Sequence, residues 1–275
     1  MPFANVNKTR LFYRLEGQSG KPVLVLSHSL GCDHSMWAPQ MPDLLDHFQV
    51  LRYDTRGHGA SDIPAGDYTM EHFGRDVTGL LDALGIAKAA FCGISMGGAI
   101  GIWLALNAAS RVTALVLANT AAKFGTPDLW DARQKAVLEG GMPAVIDPVM
   151  QRFFSPDKQT SGVAQSTRAV LLGTDPQGYA ACCAGLRDAD LRDGLARIAA
   201  PTLVIGSDRD ASTPWDPYGA MLAAEIPGAR AVRLDTAHLS NLEQPRAFTT
   251  ALLEFLLRAP DPSDPIERGS ASGGA

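Results

Sequence analysis

Apolar residues gather along this chain in short runs of strand length: PVLVLSH (22–28), FQVLRYD (48–54), AAFCGI (89–94), VTALVLAN (112–119), TLVIGSD (202–208) and ARAVRLD (229–235). Runs of this length bounded by turn residues predict strands buried on both faces, and so a parallel sheet. Between them the period changes to that of a helix. Over 70–84, Met70, Phe73, Val77, Leu80, Leu81 and Leu84 fall on one face, and Gly85 ends the pattern. Alternating strands and helices predict an α/β fold with a doubly wound, mostly parallel sheet. The alternation stops between about Ala121 and Ala200, where short helical patterns are separated by GGMP, SPDKQTSG and GTDPQG. Residues 121–199 are therefore expected to form a helical lid inserted between two parts of the core, 1–120 and 200–259. The closing stretch, 260–275, runs from proline and acid into glycine and serine and is expected to be a flexible tail. There is no internal repeat.

Composition narrows the function classes. With 275 residues and 46% hydrophobic content the chain can bury a large core, and a net charge of −5 offers no basic field for nucleic acid. No apolar run approaches the roughly 20 residues that cross a bilayer. The N-terminal stretch MPFANVNKTRLFYRLEG lacks the pattern of a secretory signal, so a cytoplasmic location is the default expectation. Cys32, Cys92, Cys182 and Cys183 form no C-x-x-C and have no histidine at zinc-like spacing, so they are expected to be reduced and half-buried, with no metal. A bridge between the adjacent Cys182 and Cys183 would be strained.

The candidate chemistry starts at FCGISMGGAI (91–100), a run that tightens into glycines around Ser95. A strand that stops abruptly, a sharp turn and an immediate helix would lift the Ser95 hydroxyl above the sheet, as a nucleophile requires. Serine needs a base to take its proton, and the base needs a carboxylate to fix its tautomer. Each should lie beyond the carboxyl end of a strand, in the order serine, acid, histidine. Asp210 follows the strand TLVIGSD, and His238 follows ARAVRLD. Asp208 is the competing acid, but Asp210 lies further out on the loop and opens DASTP, whose proline can start a helix. His34, His47 and His72 read as solvent-exposed, and His58 in DTRGHGASD reads as structural. An oxyanion would be held by backbone N–H groups, one from Met96 and a second from HSLG (28–31), where Leu30 is the candidate and Gly31 permits close approach.

GISMGG, DTRGHGASD, D-x-x-TP and AHLSN together resemble the α/β-hydrolase superfamily, over about residues 10–258. Within it, LVLSHSLGCDHSMWAPQM, LVLANTAAKFGTPDLW, GYAACCAGLRDADL and AHLSNLEQPRAF are similar to the 3-oxoadipate enol-lactonases of aromatic catabolism. Ser29 departs from the glycine common in the wider superfamily, and Ala211 stands where a proline often follows the acid. The resemblance implies an α/β-hydrolase fold and hydrolysis of the enol-lactone ring ester to 3-oxoadipate in the β-ketoadipate pathway, with no cofactor. The implied partner is a small anionic lactone, with no nucleic acid and no membrane; homo-oligomerisation stays open. A carboxylate on the substrate calls for a local cation, because the lid carries nine Lys/Arg against nine Asp/Glu. Trp130 and Arg133, three apart on a predicted lid helix, could present an apolar wall and a guanidinium to it; Arg187 is a second candidate. The competing readings are a general carboxylesterase, a cofactor-free perhydrolase, a carbon–carbon bond hydrolase, and a binding protein that turns over weakly. A dehalogenase would need aspartate at position 95.

Overall fold

In the computed structural model, which describes residues 2–258, the apolar runs form the strands β3 (Val23–Ser27), β4 (Gln49–Tyr53), β5 (Ala89–Ile94), β6 (Val112–Ala118), β7 (Thr202–Ser207) and β8 (Arg230–Leu234). Two strands that carry no continuous apolar run precede them, β1 (Phe3–Val6) and β2 (Thr9–Glu16). The sheet order is β1-β2-β4-β3-β5-β6-β7-β8, antiparallel from β1 to β4 through β2 and parallel from β4 onward. Side chains alternate along each strand, so each strand feeds two layers of core. Val25, Phe91, Leu115 and Leu117 enter one layer. Leu24, Leu26, Cys92, Val116 and Ala118 enter the other.

Helices cover both faces. They are α1 (Met41–Leu45), α2 (Met70–Ala83), α3 (Met96–Asn107), α4 (Pro127–Gly140), α5 (Ile146–Phe153), α6 (Gly162–Gly173), α7 (Pro176–Asp188), α8 (Ala220–Glu225), α9 (Ser240–Glu243) and α10 (Pro245–Leu256). The apolar stripe of α2 joins the first layer through Phe73, Val77 and Leu80, while α10 closes the second through Phe248 and Leu252. Thr69 caps α2 by accepting from the His72 N–H. The segment between β6 and β7 is helical, built of α4 to α7. The tail expected over 260–275 lies outside the described residues.

Three expectations need correction. ARAVRLD was expected to be buried on both faces, but β8 is the edge of the sheet and exposes Arg230, Ala231 and Arg233. The four cysteines, expected half-buried, are fully buried, and burial pushes the Cys183 thiol up to about 12. His34 and His72, expected to be exposed, are half-buried, His34 with Nδ1 2.8 Å from Asp54.

The strand order fixes where a site can form. The chain runs from β3 outward to β4 on one side and returns to β5 on the other, so loops leave the adjacent carboxyl ends of β3 and β5 in opposite directions. Such a reversal opens a crevice at the carboxyl edge. Ser27 pairs with Gly93 across it, which sets the HSLG loop beside Ser95.

Candidate active site

Ser95 joins β5 to α3 with φ 57° and ψ −116°, in the half of φ space that side chains avoid. The turn is held from both sides. Its N–H donates to the Ala118 carbonyl at 3.0 Å, and the Thr120 hydroxyl donates to the Ser95 carbonyl at 2.6 Å. Only glycine fits around it: a Cβ on Gly93 would strike the Gly97 carbonyl, and one on Gly97 would strike the Ser27 carbonyl.

His238 lies on the loop after β8 and is buried. Its Nδ1 faces both carboxylate oxygens of Asp210, at 3.0 and 2.9 Å. A nitrogen facing a carboxylate carries the proton, so Nε2 is left as the basic nitrogen. Asp210 also accepts from the Ser212 and Thr213 N–H groups, the Thr213 hydroxyl and the Asn119 amide. Burial alone would raise its pKa. The facing His238 and these donors outweigh burial and hold the carboxyl well below the usual carboxylate range. Asp208, the competing acid, is half-turned to solvent and paired with Arg233 at 2.7 Å. The segment between β6 and β7 braces the histidine. The Phe153 ring stacks on His238 with centroids 5.4 Å apart, and the Phe153 carbonyl accepts from Leu239 N–H at 3.1 Å. Glu243 then bridges the Ala237 N–H and the Ser155 hydroxyl.

Ser95 and His238 line one cavity of about 350 Å³, together with Leu30, Trp130, Arg133 and Arg152. Leu30 N–H and Met96 N–H have no acceptor among the described residues. Gly31 N–H, by contrast, is taken: it donates to His58 Nε2 at 2.8 Å, while the Gly31 carbonyl accepts the Thr174 hydroxyl at 2.9 Å. His58 therefore fixes the loop that carries Leu30. Burial, with His28 beside it, pushes His58 down to about 3, so it stays neutral and able to accept.

Two expectations follow for His58. An unfolded histidine titrates near 6.5, so between about 6.5 and 3 the unfolded chain binds the extra proton. The stabilisation is complete above 6.5 and is lost as pH falls through that window, at up to about 1.4 kcal/mol per unit for this one group. Urea unfolding at a series of pH values reads that slope, and His58→Ala should flatten it. At pH 7.5 the same variant should lose about 1–3 kcal/mol of stability, because Gly31 N–H is left buried without an acceptor.

The cations divide differently from the sequence reading. Arg133 stacks over Trp130 at 5.0 Å, on the cavity wall. Arg187 does not line the cavity; Asp131 at 2.8 Å and Asp188 at 2.7 Å neutralise it near the surface. Arg152, which the sequence reading passed over, is half-buried on the cavity wall and has no carboxylate partner among the described residues. Burial and the like charge of Arg133 both lower its pKa. Asn119 and Thr213 were also missed. One metal-like grouping, Asp33, His34 and Asp54, offers ligand atoms within 4.8 Å of one another, but none of the three lines the cavity. Asp54 already accepts from His34 Nδ1, His34 N–H and Ala60 N–H.

A parallel sheet with a strained serine between strand and helix, and a histidine and acid on later loops of the same edge, defines a hydrolase architecture. Residues 22–245 match the family described as "alpha/beta hydrolase fold", and the chain belongs to that family. Among its relatives are the 3-oxoadipate enol-lactonases 1 and 2 of Acinetobacter baylyi. The first is 41% identical over 248 residues, covering 90% of this chain and 92% of the relative; the second is 40% identical over 250 residues, covering 90% and 93%. The crystal structure of the enol-lactonase from Burkholderia xenovorans LB400 superposes with a TM-score of 0.91 at 45% identity, covering 93% of this chain and all of that one. Among the described residues no helix is long and apolar enough to cross a membrane.

Proposed function

We propose that this protein opens 3-oxoadipate enol-lactone to 3-oxoadipate through an acyl-enzyme on Ser95. The observation that carries the reading is a histidine with its Nε2 left basic and a serine in one cavity with two guanidiniums, Arg133 and Arg152, that no carboxylate among the described residues neutralises. Two like charges brought together in a half-buried wall favour an anionic ligand, and the enol-lactone carries its carboxylate away from the scissile bond. The 40–41% identity to enol-lactonases supports the same substrate.

The chemistry runs in two acyl-transfer steps. Ser95 Oγ attacks the lactone carbonyl as His238 Nε2 takes its proton, and Asp210 stabilises the imidazolium. The Leu30 and Met96 N–H groups, with the positive end of α3, hold the oxyanion. Collapse breaks the ring C–O bond. The leaving enolate stays tethered, receives a proton from His238 and settles as the ketone, which disfavours reclosure. His238 next deprotonates water, which attacks the acyl carbonyl; expulsion of Ser95 Oγ, reprotonated by His238, releases 3-oxoadipate. The acyl-enzyme needs neither metal nor organic cofactor.

The test is substrate charge. Arg152→Met should raise KM for the enol-lactone about 10- to 100-fold with little change in kcat, as loss of a charge-assisted contact distant from the reacting bond predicts. A neutral lactone of the same ring should be turned over equally by both proteins. Equal discrimination against the neutral ring in wild type and variant would overturn the assignment of Arg152.

A further inference from the structure

We propose that the Ser29 hydroxyl is a third oxyanion donor, a side-chain group acting beside the Leu30 and Met96 N–H groups; the proposal rests on Ser95 being the nucleophile. Five buried side-chain polar atoms lack a partner among the described residues, on Thr9, Ser29, Trp37, Thr55 and Asn241. Of these residues Ser29 alone lines the catalytic cavity. A buried hydroxyl without a partner has lost its water and gained no replacement, a deficit that a substrate carbonyl in the cavity can relieve.

The rest of Ser29 is tied down. Its carbonyl accepts from His28 Nδ1 at 2.8 Å and from Cys32 N–H at 3.0 Å, and its N–H lies 3.4 Å from Met36 Sδ. Its backbone thus cannot drift, while the hydroxyl keeps a single rotatable bond with three staggered positions. It adjoins Leu30 on the loop that β3–β5 pairing sets against Ser95, and His58 holds that loop at Gly31. Gly31 N–H faces His58 and cannot turn to the oxyanion. A hydroxyl can donate as negative charge develops on the carbonyl oxygen, so the interaction strengthens in the transition state and raises kcat.

The experiment compares Ser29→Ala, Ser29→Thr and Ser95→Ala on the enol-lactone and on p-nitrophenyl acetate. Ser29→Ala should lower kcat on both esters about 10- to 100-fold with KM little changed. Its affinity for phenylboronic acid, which forms a tetrahedral adduct on Ser95, should fall by a similar factor, while adipate inhibition stays constant. Ser29→Thr, which keeps the hydroxyl, should recover most of the activity. Because an unpartnered buried group is removed, Ser29→Ala should melt no lower than wild type; a purely structural serine would lower the melting temperature and leave boronate affinity unchanged. Unaltered kcat in Ser29→Ala, with Ser95→Ala inactive, overturns the Ser29 role alone. Activity retained in Ser95→Ala overturns the nucleophile and the Ser29 role with it.

Discussion

Ser95→Ala is expected to lower kcat for the enol-lactone by about four to six orders of magnitude and to abolish labelling by a fluorophosphonate, with KM nearly unchanged. The size of the loss follows from the role. Without Oγ no acyl-enzyme forms, and the oxyanion donors and the guanidinium pair can only assist direct attack by water, which retains a small residual rate. Binding is expected to persist because the contacts proposed for the substrate carboxylate are made by Arg133 and Arg152, not by residue 95. The variant should also be no less stable than wild type, since φ of 57° at Ser95 is a strain that neither serine nor alanine escapes. A pre-steady-state trace with p-nitrophenyl acetate checks the same point: wild type should give a burst of acylation and the variant none.

Asp210→Asn is expected to cost about four orders of magnitude in kcat. An asparagine turned to donate toward His238 Nδ1 leaves the ring proton on Nε2, and the base then faces the serine with no lone pair to accept its proton. Asn119 and Thr213 would still present their donors to position 210, so the variant keeps the loop in place but orients it for the wrong tautomer. The carboxyl also links activity to acid stability. Its folded pKa is depressed, so its contribution is complete above the unfolded value of about 3.9 and is lost as pH falls through the folded value. The stability gap between wild type and Asp210→Asn should therefore narrow below about pH 4, read from urea unfolding over that range. A gap that widened on acidification would contradict the charged state assigned to Asp210.

The parts of the fold that announce themselves in the sequence are those whose residues are buried on two faces. Strands such as AAFCGI and TLVIGS are buried at every position, which leaves a continuous apolar run of strand length in the sequence. The β1–β2 hairpin escaped because Arg10, Arg14 and Glu16 interrupt TRLFYRLE, the pattern of a strand near the sheet edge with one face in water. The error at β8 is the converse, since ARAVRLD contains enough apolar residues for a strand while its exposure depends on having β7 on one side only. Burial of an edge is a property of the sheet, not of the run.

The same distinction separates the legible site residues from the hidden ones. Ser95 was marked by glycines that backbone contact demands, and Asp210 and His238 by their places after strands. Asn119 and Thr213 have no such mark: they are small polar residues in loops, and their value lies in donating to the same oxygen of the Asp210 carboxylate. Arg152 reads as the polar face of a short amphipathic helix, and only the packing of α5 against the His238 loop turns it to the cavity. Arg187 misled for the reverse reason, because Asp131 on α4 meets it across a helix contact and cancels its charge. His58 reads as structural from its turn-rich surroundings, and its bond to Gly31 N–H gives that role a partner the sequence does not name.

Ultraviolet absorbance of freshly generated 3-oxoadipate enol-lactone, followed after mixing with the purified protein beside Ser95→Ala, bears on the proposed reaction with the fewest intermediate steps. Rapid loss of absorbance with wild type and none above background with the variant is the predicted result. Unchanged absorbance from a wild-type protein whose Ser95 still takes the fluorophosphonate would contradict the lactonase reading and leave a serine hydrolase acting on a different ester.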